Sequence, residues 1–294
     1  MANKLIKTID RWKESYFDYL TKRLDSGESK NIAVLETIKV LKKKLVQQNI
    51  VKILDIGCFS GAMLNRILNS LSKDERSRVK AVGLDLDREV VSRGADKYQD
   101  IVFVYGHIEK TLPLIGQFDI ILLSNILHEI APSSKLSERK KRIREVFRDI
   151  TNLLAKNGNV IILDGCKPTF NKTITISFSD DRDKSLFVEF SKKYQALKIK
   201  CVEVGNKIET DQISLTAFLT KSRYMKEDYW ENESLQLYQY FSEKEFIDMF
   251  EKNNLKLKTS APQYFSQDQL DSLFKSIKPK IKTPAKNILL IAEK

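Results

Sequence analysis

Five short apolar runs constrain what this chain can fold into: Val51–Ile56, Val79–Leu84, Ile101–Tyr105, Phe118–Leu123 and Val160–Leu163. Each is nearly continuous rather than alternating, as strands covered on both faces are. Helical patterns separate them. Met63, Leu64, Ile67, Leu68 and Leu71 make one apolar stripe. Ile143, Val146, Phe147, Ile150, Leu153 and Leu154 make another, on a segment whose other face is crowded with Arg and Lys. Strand and helix in alternation predict an α/β fold with a doubly wound, mostly parallel sheet and right-handed crossovers.

The flanking regions read differently. Residues 1–50 are expected to be helical, with Val34, Leu35, Ile38, Leu41 and Leu45 at three-to-four residue spacing. After Asp164 the rhythm breaks into a strand-like stretch (Thr173–Phe178), a helical one (Ser185–Leu197) and a hairpin, Lys200–Glu209, turning at Gly205-Asn206. So long and apolar a stretch predicts an insertion packed on the sheet. A helix at Ser242–Lys252 and strands near Leu255–Thr259 and Asn287–Ala292 resume the pattern, for seven strands in all. The expected organisation is a helical cover (1–50), a core (51–164), an insertion (165–240) and the end of the core sheet (241–294).

Several classes are disfavoured. At 31% charged and 42% hydrophobic residues the chain is not a disordered or low-complexity one. It has no apolar run of membrane-spanning length, so no membrane partner is expected. The first residues break into charges and offer no signal-peptide core, and three scattered cysteines make neither a disulfide framework nor a CxxC pair. A cytoplasmic protein is the expectation. HExxH, P-loop and GxSxG motifs are absent, and two histidines without clustered carboxylates predict no metal.

The sharpest local signal is Val51-Lys-Ile-Leu-Asp55-Ile-Gly57-Cys-Phe-Ser-Gly61, a strand entering a glycine turn and then a helix. Such a turn lets backbone approach a ligand and leaves helix N–H groups free to meet it. Asp85 closes the next strand 24 residues after Gly61, where an acid can accept from ribose hydroxyls. The plainer reading is a tight turn with a surface acid.

These residues resemble the class I S-adenosylmethionine-dependent methyltransferases. Phe118-Asp-Ile-Ile-Leu-Leu-Ser-Asn-Ile-Leu-His128-Glu129 is similar to that family's fourth motif, and Leu154-Ala-Lys-Asn-Gly158-Asn-Val-Ile-Ile-Leu-Asp164 to its glycine turn and fifth strand. The resemblance implies a Rossmann-like sheet whose last strand is antiparallel, with an α+β insertion between strands 5 and 6. It implies S-adenosyl-L-methionine as cofactor, held by Asp55, Gly57, Cys58, Phe59 and Gly61 in the first turn. Asp85 and Leu86 would follow on the second strand, His107 and Ile108 on the third and Asn125 on the fourth. The chain departs from the family where Phe59 replaces a glycine, and where Gly106-His107-Ile108 lacks the Asp that often meets the adenine amino group.

His128, beside the transferred methyl group by this resemblance, is the candidate base or acceptor-orienting group, with Glu129 to orient it or to cap the next helix. A structural histidine is the alternative. Tyr229, Trp230, Tyr238 and Tyr240, in an insertion rich in aromatics, are candidates for the acceptor wall, against a plain core role.

The net charge of +12 is uneven. Residues 51–134 carry −1 and 165–274 carry −1, while 1–50, 135–164 and 275–294 carry +5, +4 and +5. If Lys135, Arg139 and Lys140, the Lys275–Lys286 connection and the N-terminal segment share one rim, they would concentrate an anionic acceptor. The function expected is methyl transfer to a small organic acceptor of that kind. The alternatives are an RNA methyltransferase using the basic rim, with nucleic acid not favoured as partner, and a non-catalytic cofactor-binding partner protein. The oligomeric state is not legible.

Overall fold

The computed structural model describes residues 30–111, 116–130, 136–281 and 284–294. Along the chain run α1 (Asn31–Gln47), β1 (Val51–Ile56), α2 (Ala62–Asn69), β2 (Val79–Asp85), α3 (Arg88–Lys97), β3 (Ile101–Tyr105), β4 (Phe118–Ser124), α4 (Leu136–Asn152) and β5 (Leu154–Gly165). Then come β6 (Thr173–Phe178), α5 (Asp181–Lys193), β7 (Val202–Val204), β8 (Lys207–Asp211), α6 (Gln212–Lys221) and α7 (Glu243–Lys252). The chain closes with β9 (Lys256–Tyr264), α8 (Gln267–Leu273), β10 (Phe274–Lys278) and β11 (Ala285–Glu293). Two compact units result. The larger holds residues 30–164, 247–261 and 289–294, and the smaller holds 165–246 and 262–288.

The larger unit is built on a seven-stranded sheet in the order β3-β2-β1-β4-β5-β11-β9. Strands β1 to β5 pair in parallel. The last strand runs the other way: the Lys294 N–H, at the end of β11, donates to the Gly158 carbonyl near the start of β5 at 3.0 Å. The continuous apolar runs are explained by what covers them. On one face Leu41 and Leu45 of α1 and Leu64 and Ile67 of α2 pack with Ile53, Ile120 and Ile161. Ile143, Val146, Phe147 and Ile150 of α4 are also buried, and the Phe147 ring lies 5.5 Å from that of Phe250. Removing a Leu64 or Ile67 side chain from water contributes roughly 1.5–3 kcal/mol each.

This register positions the site. Ile56 at the end of β1 lies opposite Leu84 of β2 and Leu123 of β4. The segments that follow β1, β2 and β4 therefore emerge side by side on one edge, the carboxyl edge where open α/β sheets bind ligands. Asp87 starts α3 there, its carboxylate accepting from the Glu89 and Val90 N–H groups.

The smaller unit holds a four-stranded sheet, β10-β6-β8-β7, whose paired strands are antiparallel. Gly205, with φ of +59°, makes the turn between β7 and β8. Phe187, Phe190 and Phe218 pack ring against ring, with centroids 4.8 and 5.6 Å apart, and Tyr194 stacks on Phe190 at 4.9 Å. Within the connection that carries Lys275–Lys286, Lys275 and Lys278 belong to β10, which follows α8 and pairs with β6. A shift of register between Phe274 and Ser276 lets Phe274 and Ile277, three residues apart, both pack on the apolar cluster while Lys275 and Lys278 are exposed.

Candidate functional site

The turn after β1 is shaped by backbone bonds and by three left-handed residues. The Gly57 and Cys58 N–H groups both donate to the Leu84 carbonyl, at 2.8 and 3.1 Å, tying the turn to β2. Gly57, Phe59 and Gly61 have φ of +70°, +50° and +77°. A Cβ on Gly57 would sit 2.5 Å from the Ile126 side chain, and one on Gly61 would sit 2.5 Å from the Phe103 ring. Glycine at 61 is therefore required by this chain's own packing. Phe59 holds a conformation that costs a non-glycine residue about 1–2 kcal/mol. Its N–H donates to Asp85 Oδ2 at 2.8 Å, which offsets part of that cost.

Asp85 thus has a structural task as well as a ligand-facing position. Its other oxygen, Oδ1, accepts from the Asp87 N–H at 3.0 Å. A carboxylate has about four acceptor sites, so two backbone bonds leave capacity for ribose hydroxyls. Burial raises its pKa, and the Asp87 and Phe59 N–H groups draw it back in part. Asp55 is more extreme. It is 2% exposed, and burial pushes its carboxyl up to about 7. The Lys30 ammonium works against that shift, and Asp85 adds to it. Cys58 is buried, and desolvation drives its thiol well above the usual range, which suits an inert packing group.

Two hydroxyls on this edge lack partners. Ser60 Oγ, within the turn, and Ser124 Oγ, at the end of β4, are buried and unpaired among the described residues. Each such group costs about 1–3 kcal/mol when no ligand satisfies it. Orphaned hydroxyls, a buried acid and a ribose-competent Asp85 on one edge fit a polar, nucleoside-bearing ligand such as S-adenosylmethionine.

The remaining residues expected at the cofactor lie as follows. Leu86 is 43% exposed, just past β2. His107 is exposed, its carbonyl accepting from the Lys110 and Thr111 N–H groups at 3.0 and 2.9 Å, and Ile108 is half-buried. Asn125 is left-handed, with φ of +56°, and its N–H donates to the Leu163 carbonyl at 2.7 Å.

Beside Asn125 the sequence-predicted base is held by a residue that sequence reasoning did not select. His128 is buried, and its Nδ1 lies 3.2 Å from Asp164 Oδ1. Asp164 Oδ2 accepts from the Leu127 N–H at 2.8 Å, so one carboxylate fixes both the backbone and the ring. Glu129, expected to orient His128, is more distant: its Oε1 is 3.6 Å from Nε2. The signal for Asp164 was available, since it closes the fifth strand on the edge that His128 follows.

The four aromatics proposed for the acceptor wall belong to the smaller unit. Tyr229 and Tyr240 are buried, and Trp230 packs against Phe190 and Tyr194 with centroids 6.1 and 6.4 Å away. Tyr238 is half-buried with the Lys221 ammonium 5.6 Å from its ring centre, and Lys221 forms a buried ion pair with Glu233. Of the basic groups, Arg139 and Lys140 are half-exposed on α4, and Lys275 and Lys278 lie on β10 of the smaller unit. Lys135 and Lys282 fall outside the described residues, as does most of the N-terminal segment. No helix among the described residues is long and apolar enough to cross a membrane.

Comparison with known proteins bears on this edge. The structures similar to this chain include an O-methyltransferase family 2 protein from Planctomyces limnophilus in complex with apigenin (16% identity, TM-score 0.46). The match covers 83% of this chain, which spans about half (51%) of that longer one. The plantazolicin methyltransferase BpumL in complex with SAH (14% identity, TM-score 0.49) matches over 96% of this chain and 91% of its own. Magnesium protoporphyrin IX methyltransferase from Synechocystis PCC 6803 (8% identity, TM-score 0.48) matches over 97% and 89%. Likeness at this level carries no argument about substrate. No curated protein sequence matches the chain. A family model described as a methyltransferase domain matches residues 54–160, from the end of β1 to β5 and so across the turn, Asp85 and His128. The matched segment, about a third of the chain, is thus similar to a methyltransferase domain and contains the residues that form this edge.

Proposed function

We propose that this methyltransferase acts on a small organic acceptor of anionic character, with His128 as the group that orients or deprotonates it. The buried His128–Asp164 pair carries the reading. A carboxylate on Nδ1 favours the tautomer with its proton there, which leaves Nε2 as an acceptor. Nε2 can then hold the hydroxyl or amine hydrogen of an acceptor and take it as transfer proceeds. Asp164 and Glu129 flank the imidazolium this would create. S-adenosylmethionine supplies the electrophilic methyl group, so the residues have mainly to align the acceptor and exclude water. Asp85 is the ribose partner in this reading, and Tyr229, Trp230, Tyr238 and Tyr240 remain candidates for the acceptor wall.

The test is transfer of an isotopically labelled methyl group to a panel of phenolic and hydroxy acids. His128→Ala should lower turnover by about 10²–10⁴-fold, the usual contribution of general-base catalysis. Asp164→Asn should lower it less and shift the pH profile. Unchanged turnover in His128→Ala would remove His128 from the chemistry.

One observation favours a second reading. Lys141, Arg142, Arg144 and Arg148 are exposed on α4, a surface suited to phosphates. RNA as acceptor predicts affinity that falls steeply with salt. Weak binding that salt barely changes would exclude it.

A further inference from the structure

The turn after β1 and the loop after β4 leave the sheet side by side, because Ile56 lies opposite Leu123. The Ile126 side chain reaches across from the loop to the turn. Its Cγ1 and Cδ1 each stand 2.5 Å from where a Cβ on Gly57 would be, and its own Cβ stands 3.2 Å from that point. The bare Gly57 backbone is thus what gives Ile126 room to pack on the turn. Groups packed this closely resist compression and pass a displacement on. The rest of the loop is fastened to β5. The Asn125 N–H donates to the Leu163 carbonyl at 2.7 Å, and the Leu127 N–H donates to Asp164 Oδ2 at 2.8 Å. His128 Nδ1 lies 3.2 Å from Asp164 Oδ1, and the Glu129 N–H donates back to the Ile126 carbonyl at 2.9 Å. Ile126 is only half-buried, yet it packs on Gly57 and opens the short turn that carries His128.

We propose that Ile126 is a positioning residue that couples the turn after β1 to His128. With the cofactor bound, the Gly57 backbone is fixed, Gly57 limits where Ile126 can sit, and Ile126 sets the turn in which Leu127 and His128 follow. Asp164 holds this loop from β5, and Ile126 holds it from the turn after β1. The proposal rests on S-adenosylmethionine being the cofactor and on His128 facing the acceptor. A group misplaced by about 1 Å costs on the order of a hundredfold in rate, so a small slackening of the loop is readable in turnover.

Long-range proton–nitrogen NMR spectra of protein labelled with ¹⁵N at histidine test it, because the chain has only two histidines and His107→Gln in the unliganded protein assigns them. Titrating the wild type with S-adenosylhomocysteine should shift the His128 ring nitrogens. In Ile126→Ala that shift should be largely lost, while calorimetry finds affinity for S-adenosylhomocysteine within about threefold of the wild type. Turnover should fall about ten- to a hundredfold with KM for S-adenosylmethionine nearly unchanged. Ile126→Val, which loses only Cδ1, should respond between the two, and it decides the matter if Ile126→Ala fails to fold. A purely structural role would lower the melting temperature and leave the His128 shift at its full size in both variants. That result would overturn the proposal, as would a liganded wild type whose His128 signals do not move. Coupling as expected, with full turnover in His128→Ala, would uphold the link and remove only the base from the reading above. Wild-type protein that does not bind S-adenosylhomocysteine would sink the cofactor assignment itself, and the proposal with it.

Discussion

Replacing Asp55 with asparagine probes the cofactor edge where its electrostatic cost is highest. The carboxyl is almost fully buried, and desolvation lifts it to about 7 from a reference value of 3.8, with Lys30 opposing and Asp85 reinforcing the shift. The folded chain therefore keeps this proton up to about pH 7, whereas the unfolded chain releases it near the reference value. Between those two values the folded state binds more protons, so stability falls as pH rises. A rise of this size corresponds to about 4 kcal/mol in total, of which about 3 kcal/mol accrues between about pH 5 and pH 8. Asparagine keeps the shape and does not ionise. Asp55→Asn should match the wild type most closely at about pH 5 and exceed it in stability by about 3 kcal/mol more at about pH 8. Urea unfolding followed by tryptophan fluorescence across that range measures the difference directly, provided the slope with denaturant is unchanged. A stability gap that stays flat with pH, or that favours the wild type increasingly as pH rises, would refute the reasoning.

Three further changes test the packing. Gly61→Ala should destabilise by roughly 2–5 kcal/mol, combining left-handed strain with overlap on the Phe103 ring, and Phe103→Leu should recover part of it in a double-mutant cycle. At position 59 the usual order of alanine over glycine should reverse: Phe59→Gly should be about 1 kcal/mol more stable than Phe59→Ala in thermal unfolding, because φ there is +50°. Lys221→Met should cost about 3–5 kcal/mol by removing the buried cation that faces Glu233, and adding Glu233→Leu should return most of it. If the double variant is no better than the single one, loss of the buried ion pair is not the cause.

Much of the site edge was legible because it is written in local pattern. The apolar runs and the stripes between them foretell the parallel sheet, since only strands covered on both faces lack alternation. Gly57, Gly61 and Asp85 stood out because turn, helix start and strand end follow one another in the chain. Even so, the reason for a glycine was open to reading from the wrong partner. The atoms nearest a Cβ at Gly61 belong to Phe103, 42 residues away in sequence, and no local signal announces that contact.

What sequence by itself determined, then, is the alternation of elements, the ligand edge of the sheet and the two histidines that fall beyond it. Those depend on periodicity and on the order of strand ends. Tertiary structure alone decided which groups meet there. Asp164, not Glu129, lies nearest His128 Nδ1, Lys30 reaches Ser124, and β10 pairs with β6 in the four-stranded sheet. These partners come from separate segments of the chain, and only folding brings them within reach of one another. A hydrogen bond acts over about 3 Å of space, whatever the separation in sequence.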